Sequence, residues 1–390
     1  MTHLAVDVLV AGAGPAGLFA AERLARSGAH VLVCEEHEHV GDPVHCTGIL
    51  ASESFAEFDL PRDPALNTLS AARFVSPSGL TVPYASQVPI ATVIDRPAFD
   101  RALAARAMAA GATIMTGARV ASLETDANEV RAIVGERFVS ARLAVLACGA
   151  TYALQRRLGL GLPALHLQTA QAELPAVTPP LDVELHFGRL VAPDGFAWVV
   201  PVYRPSGAAS VRIGVMASMD AAGCYRRFLA RVRDRCGVSA AACTPRQKIL
   251  PLGSIESIYA NRLLVVGDAA GLVKPTTGGG IYYSILSAAL AADTGSEALR
   301  RDRLDAAALA GYEDAWRVRI ADELQTQAEL RRAVTRLSDD EIDGFFNLAL
   351  TDGIMPIVRS TMRFNQHRDL IRALFRHPPA RQFLFRSIVS

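Results

Sequence analysis

Residues 6–36 constrain the fold of this chain more than any other stretch. An apolar run, 6–10, breaks into Gly12-Ala13-Gly14-Pro15-Ala16-Gly17, and a helical pattern follows over 18–27 with Gly28 placed to stop it. A second apolar run, 30–34, ends in Glu35 and Glu36. Strand, glycine turn, helix, strand and acid in that order form the βαβ fingerprint of a dinucleotide-binding fold. Gly12 supplies the tight turn. Gly14 lets a pyrophosphate approach the helix start, and Gly17 allows close helix packing. Glu35, at the strand end, would accept a hydrogen bond from a ribose hydroxyl.

The second informative stretch is 263–286. A short apolar run, 263–266, suits a buried parallel strand and breaks at Gly267-Asp268. A loop of small residues with Gly271 and Pro275 leads to Gly278-Gly279-Gly280, and a helical pattern begins at Ile281. Asp268 can accept from polyol hydroxyls. The glycines let backbone N–H groups approach a flat ring, and the helix start favours the negative charge of a reduced flavin.

Between these stretches lie several weaker signals. The turn-rich loop 41–48 contains His45 and Cys46; Cys46 reads as a redox thiol or as a small packing residue. Residues 74–75 and 80–82 flank a Ser-Pro-Ser-Gly turn, which predicts a hairpin in a second sheet. Asp95 caps an expected helix to about 110, with Gly111 as its stop. Arg96 at its start either reaches a cofactor phosphate or ribityl oxygen, or forms a surface ion pair with Asp100. Strands are expected over 113–120, 130–134 and 143–146, the last ending in Ala147-Cys148-Gly149-Ala150, a second small-residue crossing below a dinucleotide. From 159 to 257, short β-like runs alternate with Pro and Gly turns around one helical run, 223–236. Alternation in 196–201 puts Phe196, Trp198 and Val200 on one face, either a ligand wall or ordinary sheet core.

The fold class is therefore α/β: a Rossmann-like domain with an inserted antiparallel substrate sheet and a C-terminal helical region. The expected parts are 1–71, 96–158 and 258–300 for the nucleotide domain, 72–95 and 159–257 for the substrate domain, and 301–390 for the helices. Net charge is +1, so no nucleic-acid partner is implied, and no apolar stretch is long enough for a membrane span. The start lacks a basic n-region, which predicts no secretory signal and a cytoplasmic location. The six cysteines form no CxxC pair and read as reduced thiols, with no metal site expected. From 353 onward stand seven arginines and one aspartate, interleaved with Ile371, Leu374, Phe375, Phe383, Leu384 and Phe385. This tail reads as a peripheral contact with an anionic inner membrane face, or as an amphipathic helix packed on the body.

GAGPAG, GDPVHCTG, IDRPAFDRALAARAMAAGA, ACGA and VVGDAAGLVKPTTGGGIYYSI together resemble the geranylgeranyl reductase family, FAD-dependent flavoproteins related to the p-hydroxybenzoate hydroxylase group. The resemblance covers about residues 1–300. It implies an FAD site of Gly12, Gly14, Pro15, Ala16, Gly17, Glu35, Glu36, Cys46, Arg96, Val120, Gly149, Asp268, Gly271, Pro275, Gly278, Gly279, Gly280 and Ile281. It implies reduction of isolated double bonds in isoprenoid chains, with hydride from the flavin. The proton would come from Cys46, His45, Tyr282 or water, and Phe196, Trp198, Val200 and Pro201 would meet the substrate. Val200 replaces a family phenylalanine, and Cys46-Thr47-Gly48 lacks the family's glutamate beside the cysteine. With no second dinucleotide fingerprint, the electron donor is NAD(P)H docking transiently, a reduced ferredoxin or a quinol. The rival readings are an FAD-dependent monooxygenase of an aromatic or lipid substrate, a flavin halogenase and a non-catalytic flavin or lipid carrier. Halogenases need an early lysine, and here none precedes Lys248.

Overall fold

The computed structural model describes residues 2–239, 244–351 and 353–382; Cys243 and the tail residues Phe383, Leu384 and Phe385 lie outside the described residues. The chain opens with β1 (Thr2–Ala11), α1 (Pro15–Arg26) and β2 (Val31–Cys34). A loop leads to β3 (Ile49–Ala51), α2 (Ser54–Glu57), β4 (Ala65–Leu69) and the hairpin β5 (Ala71–Val75) with β6 (Thr81–Ala85). Next come β7 (Ala91–Ile94), α3 (Arg96–Ala109), β8 (Thr113–Met115), β9 (Val120–Thr125), β10 (Val130–Val134), β11 (Arg137–Leu146) and α4 (Ala153–Arg157). Then follow β12 (Leu165–Pro175), β13 (Val183–His186), β14 (Phe196–Tyr203), β15 (Ala209–Ala217), α5 (Ala221–Val232) and β16 (Arg246–Leu252). β17 (Tyr259–Ala260) and β18 (Leu263–Val265) run into a 3₁₀ turn, Gly267–Ala270, and α6 (Ile281–Arg300). The chain closes with α7 (Ala306–Leu309), α8 (Gly311–Trp316), α9 (Asp322–Val334), α10 (Asp339–Thr351), α11 (Ile354–Thr361) and α12 (Arg368–Arg376).

The first sheet runs in the order β17-β18-β11-β1-β2-β8, with β9 and β10 joined to β11 as an antiparallel flank. Its central strands are parallel, and Ala11 lies opposite both Cys34 and Leu146, with Leu146 opposite Val265. Their carboxyl ends therefore form one straight edge, which is where open α/β sheets bind ligands. The apolar runs 6–10, 143–146 and 263–266 lie mostly buried in the core that this sheet shares with α1, α3 and α6.

The second sheet, β16-β12-β15-β14-β13-β5-β6, takes in the predicted hairpin and is otherwise antiparallel except for the β13–β5 pair. Its strands carry two cores because successive side chains alternate faces. Ala197, Val199, Ile213 and Val215 pack under Tyr225 and Phe228 of α5. Trp198, Val200 and Met216 face the other way, towards the first sheet. β3, β7 and β4 form a small third sheet between them.

Two expectations need correction, and the tail packs on the body as one of its two readings expects. The strand expected at 113–120 is two, β8 and β9, because Gly117 turns the backbone to φ +61° between them. The helix expected at 223–236 is Ala221–Val232, since Asp220 caps it by accepting from Gly223 N at 3.0 Å. The tail is helical, and Ile371 is buried against the body; among the described residues no helix is long and apolar enough to cross a membrane.

Candidate active site

The three glycines of the first turn are glycines for different reasons. A Cβ on Gly12, at φ +110°, would lie 2.4 Å from Ala147 O, where the turn after β1 crosses the turn after β11. A Cβ on Gly17 would lie 2.0 Å from Gly12 O. A Cβ on Gly14 would meet no atom within 4 Å, because that glycine faces open space. Glu35 accepts from Ala13 N at 2.8 Å with one oxygen and from His37 N at 3.0 Å with the other. It thus ties the end of β2 to the glycine turn. Glu36 is exposed and stands 3.7 Å from Arg119, and neither it nor Val120 lines the cavity described next.

A cavity of about 700 Å³ runs along the carboxyl edge of the first sheet and under the second. One end is lined by Gly14, Pro15, Ala16 and Gly149, the middle by Arg96, His45, Cys46 and Asp268, and one wall by Gly278, Gly279, Gly280 and Ile281. From there it continues along Trp198, Phe196 and Val200, with Leu185 and Phe187 beside them. Gly214 makes room for this wall, since a Cβ there would stand 2.3 Å from the Trp198 ring.

The residues present fit an elongated group with phosphate at one end and a flat ring at the other. Helices α3 and α5 are capped by Asp95 and Asp220, but α1 and α6, which both start at the cavity, begin from Gly14 and Gly280 with no side-chain cap. The N–H groups of those two first turns lack intrahelical partners, and the positive ends of both helix dipoles meet the cavity. Such ends hold pyrophosphate at α1 and the charge of a reduced ring at α6.

Arg96 forms the i,i+4 pair with Asp100, at 3.0 Å, but the pair is buried rather than on the surface. Burial pushes the Asp100 carboxyl upward, against the pull of Arg96. Arg96 also lies beside the Cys46 thiol. The Cys46 loop is clamped from the second sheet: Arg212 of β15 donates to Thr47 O at 2.6 Å and to Ile94 O at 2.9 Å, while Thr47 Oγ1 donates to Gln171 Oε1 at 2.8 Å. Cys46 Sγ accepts from Gly48 N at 3.3 Å. His45 has a buried Nδ1 with no partner among the described residues, and burial, followed by Lys248, lowers its proton affinity.

Several predicted residues are elsewhere. The Tyr282 hydroxyl donates to Glu57 Oε1 at 3.2 Å on the side of α6 turned from the cavity, and burial raises it to about 12. Its place on a helix face, which single residues do not reveal, removes it from the site. Pro201 alternates to the face opposite Trp198 and is not in the wall. Gly271 is a packing glycine, its missing Cβ 2.1 Å from Gly253 O. Pro275 is buried below the loop, where its carbonyl accepts from Arg331 at 3.1 Å.

The structure also adds residues that the sequence reading passed over. The chain's two lysines, Lys248 and Lys274, both line the cavity. Lys248 pairs with Asp268 at 3.3 Å. Their scarcity beside so many arginines was the available signal. For Arg212 it was a lone cation inside the apolar run of β15.

The comparisons agree with this geometry. A family model described as FAD dependent oxidoreductase matches residues 51–236, and one described as NAD(P)-binding Rossmann-like domain matches 10–48. The chain is 32% identical over 356 residues to a digeranylgeranylglycerophospholipid reductase of Methanocaldococcus jannaschii, covering 86% of this chain and 88% of that one. A second such reductase, from Methanothermobacter thermautotrophicus, is 31% identical over 86% of this chain and 90% of its own. The fold matches a geranylgeranyl bacteriochlorophyll reductase-like structure from Thermoplasma acidophilum with a TM-score of 0.85 at 23% identity, over 99% of this chain and all of that one. It matches a halogenase in complex with FAD less well, at 0.69 and 18% identity, over 98% of this chain and 85% of that one. With identity above 30% sustained over most of both chains, and with the glycine-lined cavity in place, the chain belongs to the geranylgeranyl reductase family of FAD-dependent oxidoreductases.

Proposed function

We propose that the protein reduces carbon–carbon double bonds in an isoprenoid lipid or polyprenyl quinone. The observation that carries this is the single cavity with two unlike ends: glycines and open helix starts at one, an aromatic and aliphatic wall at the other. The relatives' names, which specify a geranylgeranylated phospholipid, support the substrate class. FAD, when bound, supplies the hydride.

The chain's own residues divide the rest. Gly14, Pro15 and Ala16 hold the pyrophosphate, Glu35 the ribose side and Asp268 the ribityl hydroxyls. Gly278, Gly279, Gly280 and Ile281 form the bed for the ring. Trp198, Phe196 and Val200 align the alkene and keep water out, and the aromatic faces counter positive charge that develops on the alkene carbon. Cys46 delivers the proton, held by Gly48 N and the Arg212 clamp, with His45 next to it. Electrons come from NAD(P)H, a reduced ferredoxin or a quinol. The location is cytoplasmic, with the tail resting on the inner membrane face.

The test is anaerobic reduction of the yellow protein, followed by mass analysis of polyprenyl lipids and quinones. A gain of two hydrogens per double bond is expected. Cys46→Ala should keep flavin and lose at least tenfold in rate. Oxygen incorporation, or tight lipid binding with no reduction by any donor, would overturn the reading.

A further inference from the structure

The two lysines of the cavity are treated differently. Lys248 has a carboxylate partner in Asp268. Lys274 is 2% exposed, and among the described residues no carboxylate stands within 4 Å of its ammonium. Its Nζ donates to Phe364 O at 2.8 Å and lies 4.3 Å from the centroid of the Phe364 ring. A lysine has three donors, so a buried one with a single carbonyl is poorly compensated.

The groups around it are already committed. Glu323 of α9 accepts from the backbone N–H groups of His367 and Arg368 and from Gln327 Nε2. Glu53, ahead of α2, faces Asn365 Nδ2 at 3.4 Å. The Tyr283 hydroxyl donates to Asn365 O at 2.6 Å. The His367 ring is bonded to Thr276 Oγ1 at 2.8 Å, and burial, with Lys274 nearby, holds it down to about 3, so it stays neutral. Asp268 is paired with Lys248. None of these answers the ammonium at contact distance.

What lies in front of Lys274 is the glycine cluster. A Cβ on Gly279 would stand 2.6 Å from Lys274 Cε and 3.2 Å from Nζ. Gly279 leads through Gly280 into α6, whose first turn is uncapped. Two sources of positive potential, the open helix start and the lysine, thus converge on one stretch of the cavity wall. On the reading that FAD binds here, we propose that Lys274 is the counter-charge of the reduced flavin, standing behind Gly279 and taking up a proton when the ring becomes an anion.

Burial lowers Lys274 to about 7, so above that pH it is mostly neutral while the flavin is oxidised. Two electrons and one proton from a reducing donor leave the ring with one negative charge. Lys274 takes a second proton from solvent, and the pair ends neutral. Reduction therefore consumes two protons per two electrons even where the ring itself is anionic.

The test uses purified holoprotein titrated anaerobically with dithionite against reference dyes between pH 7.5 and 9. The wild-type midpoint should fall by about 59 mV per pH unit, two tenfold steps for a two-electron couple, while the reduced flavin shows anionic absorbance. Lys274→Met should fall by about 30 mV per unit and lie at least 30 mV more negative at pH 7.5, a tenfold loss of preference for the reduced form. Lys274→Arg, always charged, should keep the potential raised with the shallow slope. A wild-type slope of about 30 mV per unit, or a Met variant that tracks the wild type, overturns the proposal; the first needs no variant to fold. A colourless protein that takes up no FAD defeats the functional reading itself, whereas a yellow one with the shallow slope defeats only Lys274's part.

Discussion

Gly14 and Gly17 stand one turn apart in the same helix start, and each excludes a side chain for a different reason. At Gly17 the obstacle is protein backbone, 2.0 Å from a would-be Cβ; at Gly14 the protein leaves open space within 4 Å. Gly17→Ala should therefore destabilise the flavin-free protein by about 3 kcal/mol, the cost of overpacking against an immovable backbone. Gly14→Ala should leave the melting temperature of the flavin-free protein unchanged and weaken FAD binding at least tenfold, about 1.4 kcal/mol. Thermal melts and flavin titrations of the two variants check this, and equal melting losses in both would refute it. The contrast explains what was readable at this scale. A glycine demanded by backbone crossing leaves a fixed spacing in the sequence, so Gly12 and Gly17 could be assigned from spacing alone. Tyr282 could not be placed, because which face of α6 meets the cavity depends on packing against α2.

At the scale of elements, the Cys46 loop is held by β15 and β12 rather than by its own sequence. Arg212 reaches Thr47 O across 165 residues and is itself oriented by Glu173 of β12, at 2.9 Å. No local pattern encodes that contact, whereas the alternation of 196–200 in β14 did expose the wall residues. Burial would raise Glu173, but hydrogen bonds from Arg204, Ser210 and Arg212 hold it down to about 2. Glu184 of β13 is likewise held to about 2 against burial, by His186 and Arg235. Both folded values lie below the ordinary 4.5, so their stabilising effect is complete above that pH and is lost as pH falls towards 2. His367 and His45, both held neutral by burial, should start to lower the melting temperature as pH falls below about 6.5, and the two carboxylates should add a steeper drop between 4.5 and 2.5. Glu173→Gln should be less stable at neutral pH and show a shallower acid decline. An acid limb of unchanged steepness would show that the clamp contributes nothing to it.

At the scale of the whole molecule, the tail both closes the cavity and bears most of the one-sided charge. Met362, Phe364, Leu370, Ile371 and Leu374 line the cavity, so the apolar side of this segment faces inward. The segment is tied down by Lys274 at Phe364 O, by Tyr283 at Asn365 O and by Glu323 at the start of α12. Arg359, Arg363, Arg372, Arg376 and Arg381 remain exposed. The two sequence readings of the tail, packing element and anionic-surface contact, are thus compatible, because packing uses one side and leaves the arginines on the other. If those arginines meet a bilayer, each is worth about 1 kcal/mol near an anionic surface. Replacing Arg359, Arg372 and Arg376 by Gln should then weaken sedimentation with phosphatidylglycerol vesicles by about 3 kcal/mol, more than a hundredfold. Binding to phosphatidylcholine vesicles should be weak for both proteins, and high salt should abolish the difference. Reduction of a short, water-soluble isoprenoid should be unaffected, since none of the three side chains lines the cavity. Undiminished vesicle binding by the triple variant would leave the tail as a lid alone. Loss of activity on the soluble substrate would mean instead that the arginines hold α11 and α12 in place over the cavity.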